Sequence, residues 1–163
     1  MSVEKIDRKI SVIFATDVVD YSLHMEKDES GTVKSLRKYE KILKEAFKKH
    51  GGRLFNTGGD SFLAEFSSAV KAVECAIDFQ NIVKEKKINP SLSFRIGINA
   101  GDVILQKKNL LGDGVNVAAR LEQLSQPNGI TISKSIYDYI EGKLDLKIQD
   151  LGIQQAVSYT HLT

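Results

Sequence analysis

A glycine-rich turn between two runs of strand-forming residues places the strongest constraint on how this chain folds. Gly58, Gly59 and Asp60 join residues 55–57 to residues 61–66, an arrangement typical of an antiparallel β-hairpin. Two successive glycines permit positive φ angles and allow a ligand to approach the backbone closely. Asp60 therefore lies at a hairpin tip, where it is either an ordinary turn residue or part of a binding site.

The apolar pattern on either side of the hairpin predicts an alternation of strands and helices. Strands are predicted at residues 10–15, 55–57, 61–66, 91–100, 103–105, 129–133 and 144–148, and helices at 30–50, 70–87, 115–123 and 134–141. Gly51 and Gly52 end the first helix, and Gly101-Asp102 is read as a turn between two strands. The order β-α-β-β-α-β, with additions at the C-terminus, predicts an α+β fold of the ferredoxin-like type, with helices packed on one face of an antiparallel sheet.

The composition is that of one soluble domain. The chain has 163 residues and a formal net charge of +2, which gives no reason to expect a nucleic-acid partner. Cys75 is the single cysteine, so it cannot form an internal disulfide, and we expect it in the core of a protein from a reducing compartment. No apolar run reaches the roughly 20 residues of a membrane span, and charges interrupt the N-terminal segment. We therefore expect a cytoplasmic domain with neither a membrane span nor a signal peptide.

A second carboxylate, Asp17, follows the first predicted strand. In the predicted topology this strand lies beside the hairpin, so Asp17 and Asp60 can converge. Two nearby carboxylates repel each other, and a divalent cation such as Mg²⁺ would neutralise the pair. The alternative for Asp17 is a helix N-cap over Tyr21 and Ser22, and the sequence leaves both interpretations open.

The predicted helix at 115–123 carries a polar pair. Asn116 and Arg120 are four residues apart and lie on one helical face, just after a glycine-rich loop. The planar, permanently charged guanidinium of Arg120 is suited to a phosphoryl group that gains negative charge. The alternative is a solvated arginine paired with Glu122 or with another acid.

Four stretches of the chain carry a resemblance to a known family. They are residues 14–22, 57–62, 95–103 and 112–121, which read FATDVVDYS, TGGDSF, RIGINAGDV and GDGVNVAARL. On these motifs, residues 10–152 resemble the catalytic domains of class III nucleotidyl cyclases, the adenylate and guanylate cyclases. The resemblance implies an enzyme that converts ATP, or possibly GTP, to the 3′,5′-cyclic nucleotide and pyrophosphate in intracellular signalling.

The resemblance also implies roles for individual residues. Asp17 and Asp60 would bind two divalent ions, Mg²⁺ or Mn²⁺, and Arg120 would stabilise the α-phosphate while Asn116 orients the ribose. The acids and the Asn-Arg pair would come from different subunits of a head-to-tail homodimer. The triphosphate would lie on the backbone after Asp17 and at the hairpin tip, at Val18, Val19, Asp20, Tyr21, Ser22 and Gly59.

The chain departs from the family pattern in three places. Asn56 and Asn109 stand at the base-reading positions, and because amides both donate and accept, they leave the choice of purine open. Asp20 stands where the family usually has glycine. Residues 156–163 do not resemble the family's closing segment, which adds a strand and a phosphate-binding lysine, and Lys143 and Lys147 are poor substitutes for that lysine. We therefore expect a catalytic domain at 1–155 with a non-matching tail at 156–163, and a possible regulatory domain outside this chain.

Two other functions remain open at this stage. A degenerate cyclase-like module that binds nucleotide or dimerises would explain Asp20, Asn56 and Asn109. A diguanylate cyclase would explain residues 58–62, which read GGDSF and resemble the Gly-Gly-Asp-Glu-Phe motif of that family. Ser61 replaces the glutamate of that motif, however, and the helix with Asn116 and Arg120 has no place there.

Overall fold

The structure is a computed structural model that describes residues 6–146, 148–154 and 157–162, with side chains described for residues 6–146. The strands and helices alternate along the chain in the order β1 Asp7–Val18, α1 Tyr21–Lys27, α2 Glu29–His50, β2 Arg53–Gly58, β3 Ser61–Phe66, α3 Ala69–Glu85, β4 Phe94–Gln106, β5 Asn109–Leu111, α4 Asp113–Leu124, β6 Ile130–Ser133, α5 Lys134–Ile140, β7 Ile148–Gln154 and β8 Val157–Leu162.

The sheet has the strand order β2-β3-β1-β4-β6-β8-β7, and β5 pairs with β4. Strands β1 to β4 pair with their neighbours in antiparallel fashion, whereas β4 and β6 are parallel. The order β2-β3-β1-β4, with α2 and α3 as the connecting helices, is the ferredoxin-like arrangement. The predicted fold class is therefore confirmed.

Both faces of the sheet are covered, because successive side chains of a strand point to opposite sides. On one face Val12 and Phe14 of β1 pack in the main core with α2 and α3. On the other face Ile13 and Ala15 pack in a smaller core with Val115 and Ala118 of α4. The prediction that the helices occupy one face is thus wrong for α4.

The main core contains side chains from the apolar faces of α2 and α3. Tyr39 and Phe47 of α2 are buried, and Phe47 stacks edge-on against Phe14 with ring centroids 5.1 Å apart. Cys75 of α3 is fully buried, as expected, and burial raises the pKa of its thiol to about 12. Gly51 ends α2 in the left-handed conformation, with φ 81°.

The structure differs from the prediction in two central elements. Gly101 and Asp102 do not form a turn, because they pair with Ser11 and Ile10 of β1 inside one continuous strand, β4. Helix α1, which follows the first strand directly, was not predicted. None of its seven residues is fully buried, so its sequence lacks the apolar stripe by which a helix is predicted.

The C-terminal region also differs from expectation. The last predicted strand, at 144–148, begins at Ile148, and Leu144 and Leu146 instead pack against the main core. Val157–Leu162 forms strand β8 between β6 and β7, so the segment that does not resemble the family's closing segment nevertheless adds a strand to the sheet. The domain boundary at 155 stays a prediction. Lys147 lies outside the described residues.

Helices in the described part of the chain are all too short or too polar to cross a membrane.

Candidate active site

The tip of the β2–β3 hairpin lies beside the end of β1. Thr16 of β1 pairs with Phe62 of β3, which places the following turn next to the last residues of β1. There the backbone amide of Val18 donates a hydrogen bond to Asp60 Oδ2, at 3.2 Å. Burial raises the pKa of Asp60, and the negative charge of Asp17 raises it further, although the bond from Val18 opposes this. The structure therefore brings Asp17 and Asp60 together, as predicted.

Asp17 is held by side chains from β4 and α4. Arg95 grips it with two bonds, from Nε to Oδ1 at 3.2 Å and from Nη2 to Oδ2 at 3.0 Å, and Gln123 Nε2 donates to Oδ2 at 3.3 Å. Asp17 is not the N-cap of a helix, because that position before α1 belongs to Asp20. The helix-cap alternative for Asp17 is thus wrong.

Glu122 of α4 lies next to Arg95 and Gln123, the two side chains that bond to Asp17. It is 4% exposed, and its Oε2 lies 3.7 Å from Arg95 Nη2 and accepts a 3.0 Å hydrogen bond from Gln123 Nε2. Burial raises the pKa of Glu122 to about 9, and its hydrogen bond with the Asp17 carboxylate contributes in the same direction. Burial and the neighbouring carboxylate therefore favour the protonated form of Glu122, and the direct ion pair of Arg95 is with Asp17, at 3.0 Å.

The donor set fits a divalent cation. Asp17 and Asp60 present hard carboxylate oxygens at one edge of the sheet, and a cation would relieve the repulsion that helps to raise the pKa of Asp60. Among the described residues, no group of three or more His, Cys, Asp or Glu side chains is arranged to hold a metal ion. Mg²⁺ commonly uses one or two carboxylates and completes its shell with water and substrate phosphates, so two acids suffice.

The backbone after Asp17 has only part of its donors available. The Val18 amide is engaged by Asp60, and the Val19 amide donates to the carbonyl of Ser93 at 2.8 Å. Asp20 is exposed and left-handed, with φ 54° and ψ 40°, and its side chain makes no capping hydrogen bond. Tyr21 and Ser22 begin α1. Gly59, at the hairpin tip, also has a positive φ, of 63°. A phosphate at this loop would therefore meet the backbone of residues 20–22 rather than that of Val18 or Val19.

Helix α4 presents Asn116 and Arg120 to solvent. Both are exposed, and in the part of the chain that the structure describes neither forms a hydrogen bond or an ion pair with another side chain. The alternative pairing of Arg120 with Glu122 is wrong, because Glu122 faces inward to Arg95 and Gln123. A single chain thus leaves the Asn-Arg pair unbonded to Asp17 and Asp60.

The two predicted base-reading residues lie on strands that pair with different partners, β2 with β3 and β5 with β4. Asn56 is exposed on β2, and Asn109 begins β5, where its Oδ1 accepts a hydrogen bond from the amide of Leu110. Arg53 of β2 donates to the carbonyl of Lys108 at 2.8 Å, which ties the two strands together. The amide oxygen of Asn109 is therefore partly committed to its own backbone.

Lys143 lies elsewhere. It lines a cavity of about 710 Å³, together with Lys9 and Glu65, toward the start of β1, and neither Asp17 nor Asp60 borders that cavity.

Sequence reasoning missed Arg95, Glu122 and Gln123 as members of the site. Arg95 is the direct cross-strand partner of Asp17, so the pairing register of β1 with β4 would have identified it. Glu122 and Gln123 depend on where α4 packs. The signal for that position is Gly97, where a Cβ would collide with the backbone of Ala118 and Glu122.

Comparisons with known proteins identify the family of the chain. The family described as the adenylate and guanylate cyclase catalytic domain matches residues 2–156. The putative adenylate cyclase 3 of Rhizobium meliloti (strain 1021) is 39% identical over 160 residues, which are 95% of this chain and 27% of that protein. The chain belongs to the adenylate and guanylate cyclase family, a family of cyclase enzymes, and the predictions of family and enzyme class are confirmed.

Solved structures show the same fold. An adenylate/guanylate cyclase/hydrolase from Silicibacter pomeroyi is 29% identical with a TM-score of 0.88, covering 98% of this chain and 99% of that one. The catalytic core of a rhodopsin-guanylyl cyclase with converted specificity, in complex with ATPαS, is 25% identical with a TM-score of 0.85, covering 98% of both chains. The chain spans less than half the length of the relatives that it matches in sequence.

Proposed function

We propose that this chain is the catalytic domain of a purine nucleotide cyclase that acts on ATP or GTP as a homodimer in intracellular signalling. The observation that carries the proposal is the convergence of Asp17 and Asp60 at one edge of the sheet. The family match supports the reaction class. The name of the Rhizobium meliloti relative supports ATP as the substrate, although Asn56 and Asn109 do not choose between adenine and guanine.

The reaction is attack of the substrate's 3′-hydroxyl on its α-phosphate, with pyrophosphate as the leaving group. Divalent cations held by Asp17 and Asp60 would supply charge neutralisation and activation of the attacking oxygen. The backbone of residues 20–22, with Gly59 at the tip, would bind the triphosphate. Arg120 would stabilise the negative charge that develops on the α-phosphate, and Asn116 would orient the ribose.

Two features support a site shared between subunits. Asn116 and Arg120 are exposed and do not bond to the acids of their own chain. Leu111 and Leu124, just before and at the end of the same helix, are 40% and 44% exposed, which gives the α4 surface apolar residues that a partner could cover. A head-to-tail homodimer would bring α4 of one subunit to the acid pair of the other. Because the chain is a fraction of its relatives' length, we place it as the output domain of a larger, regulated protein.

The proposal is tested by incubating the chain with ATP or GTP and Mn²⁺ and separating the products by chromatography. We expect a 3′,5′-cyclic nucleotide and pyrophosphate. Asp60→Ala should abolish the product, because a metal ligand is lost. Arg120→Ala should lower the rate on the order of 10²–10³-fold, as removal of one transition-state donor does. Product formation that is unchanged in Asp60→Ala would refute the proposed site.

A second candidate is a nucleotide-binding or dimerisation module without turnover. It is favoured by the exposed carboxylate of Asp20 at the phosphate loop and by the engagement of the Val18 and Val19 amides. Nucleotide binding with no cyclic product, under either Mg²⁺ or Mn²⁺, would establish this function instead.

A further inference from the structure

Glu122 is a buried carboxylic acid that the proposed reaction does not use. It lies at the inner face of α4, with its Oε2 accepting from Gln123 Nε2 at 3.0 Å and facing Arg95 Nη2 at 3.7 Å. Gln123 and Arg95 are the same two side chains that bond to Asp17 Oδ2. Glu122 therefore contacts every side chain that holds Asp17.

A carboxyl group in this place needs an explanation beyond packing. Its side chain is 5% exposed, and burying a polar group without compensation costs on the order of 1–3 kcal/mol in proteins. Replacement of a whole buried polar pair by apolar side chains of similar volume is often neutral or stabilising, whereas removal of one partner leaves the other without its bond. If this position only had to fill the space under α4, methionine or leucine would fill it without burying a polar group.

The neighbouring backbone makes Glu122 a rigid support. Gly97 of β4 lies so close to α4 that a Cβ would collide with the backbone nitrogen of Glu122 and the carbonyl of Ala118. The position of Glu122 is thereby fixed to the central strand by backbone packing. Arg95 lies two residues earlier on that strand and is the cross-strand partner of Asp17.

We propose that Glu122 is a positioning residue for Asp17: the hydrogen bond that it accepts from Gln123 and its ion pair with Arg95 hold these two side chains, and through them Asp17, in the arrangement that binds a divalent cation. This inference rests on the proposed function, because it takes Asp17 as a cation ligand. Residues that orient a metal ligand commonly cost 10–100-fold in metal affinity when they are removed.

The test measures Mn²⁺ binding to the 163-residue chain by electron paramagnetic resonance, without nucleotide. The principal variant is Glu122→Met, which keeps the volume and removes the hydrogen bonds. Glu122→Gln keeps the length and offers both a donor and an acceptor. The matched control is Ser125→Ala, a buried polar residue next to the same end of α4 that bonds to Gln126 instead of Asp17. Urea unfolding of each variant gives its stability separately.

We expect Glu122→Met to remain folded in the absence of urea, while its Mn²⁺ affinity falls at least about tenfold. Glu122→Gln should retain the affinity within about threefold, and Ser125→Ala should retain it fully. Equal affinities of the unsubstituted chain and Glu122→Met would overturn the inference, and so would an equal loss in the Met and Gln variants.

Asp60→Asn separates this inference from the proposed function. If Asp60→Asn loses Mn²⁺ binding while Glu122→Met retains it, the role of Glu122 alone is refuted. If Asp60→Asn binds Mn²⁺ as tightly as the unsubstituted chain, the proposed cation site itself is refuted and the inference falls with it.

Discussion

Asp20 combines an unusual backbone conformation with an uncompensated charge. Its φ of 54° and ψ of 40° lie in the left-handed region, which costs most residues about 1–2 kcal/mol and glycine almost nothing. The carboxylate is exposed, makes no capping bond, and raises the pKa of Arg95 together with the stronger influence of Asp17.

Replacement of Asp20 by glycine should therefore improve nucleotide binding. Removal of one negative charge near the triphosphate is worth about 1 kcal/mol, so the KM for the nucleotide should fall about fivefold. The free energy of unfolding should change by no more than about 1 kcal/mol, since relief of backbone strain offsets the entropy of glycine. Steady-state kinetics and urea unfolding measure the two effects.

Asp20→Asn is the control for this prediction, because asparagine tolerates the left-handed region and carries no charge. A lower KM in both variants would assign the effect to charge, and a lower KM in the glycine variant alone would assign it to the backbone. An unchanged KM in both would contradict the placement of the triphosphate at this loop.

At the scale of elements, helix α4 connects the candidate site to the sheet. Its inner face carries Glu122, whereas its outer face carries Asn116 and Arg120. The carbonyl of Gly114 in its first turn accepts a 3.0 Å hydrogen bond from buried Asn99 of β4. The other point of attachment is Gly97, whose missing side chain lets the two backbones meet. The position of both functional faces therefore depends on these two contacts with β4.

Gly97→Ala should displace α4 and lower the free energy of unfolding by about 3 kcal/mol, in the range of severe overpacking. Urea unfolding measures the loss. The control is Gly58→Ala, where an added Cβ would lie 3.3 Å from the hydroxyl of Ser61, a side chain that can move. A Gly97→Ala chain as stable as Gly58→Ala would contradict the close contact of β4 with α4.

The elements also show which parts of the fold the sequence could reveal. The hairpin and α2 were predicted correctly, because turn glycines and an apolar stripe at helical spacing are local signals. The continuation of β4 through Gly101 and Asp102 was not predicted, because it depends on pairing with β1, which is distant in sequence. Helix α1 has seven residues, none of them fully buried, and only Tyr21 packs against the main core, so its apolar pattern is too short to identify it.

The same distinction applies to the site. The convergence of Asp17 and Asp60 was predicted because both lie at strand ends of adjacent strands, and strand adjacency follows from the fold class. The contacts of Asp17 with Arg95 and Gln123 were not predicted, because predicting them requires knowledge of the strand register and of the position of α4. The strand register and the position of α4 are properties of the tertiary structure, and local propensity does not determine them.

At the scale of the whole molecule, the chain carries two incomplete halves of the proposed site. The acids Asp17 and Asp60 lie at one edge of the sheet, and Asn116 and Arg120 lie on an exposed helical face without bonds to them. A twofold symmetric dimer in which each α4 faces the partner's acids contains two equivalent sites. Each site then takes its acids from one subunit and its arginine from the other.

This arrangement predicts complementation between inactive variants. Homodimers of Asp60→Ala or of Arg120→Ala carry a defect in both sites. A heterodimer of the two collects both defects in one site and leaves the other intact. Because random exchange makes half of the dimers mixed, an equal mixture should recover about a quarter of the unsubstituted activity, measured as cyclic nucleotide formed.

A mixture of Asp60→Ala with Asp17→Ala is the matched control for this experiment. Both of these substitutions affect the acid half, so every site in every mixed dimer lacks one acid and no activity should return. Recovery in the first mixture and not in the second requires that the acids and Arg120 come from different chains. If neither mixture recovers while the unsubstituted chain makes product, the cyclase activity stands and the shared site is refuted, because Arg120 would then act within its own subunit or not at all.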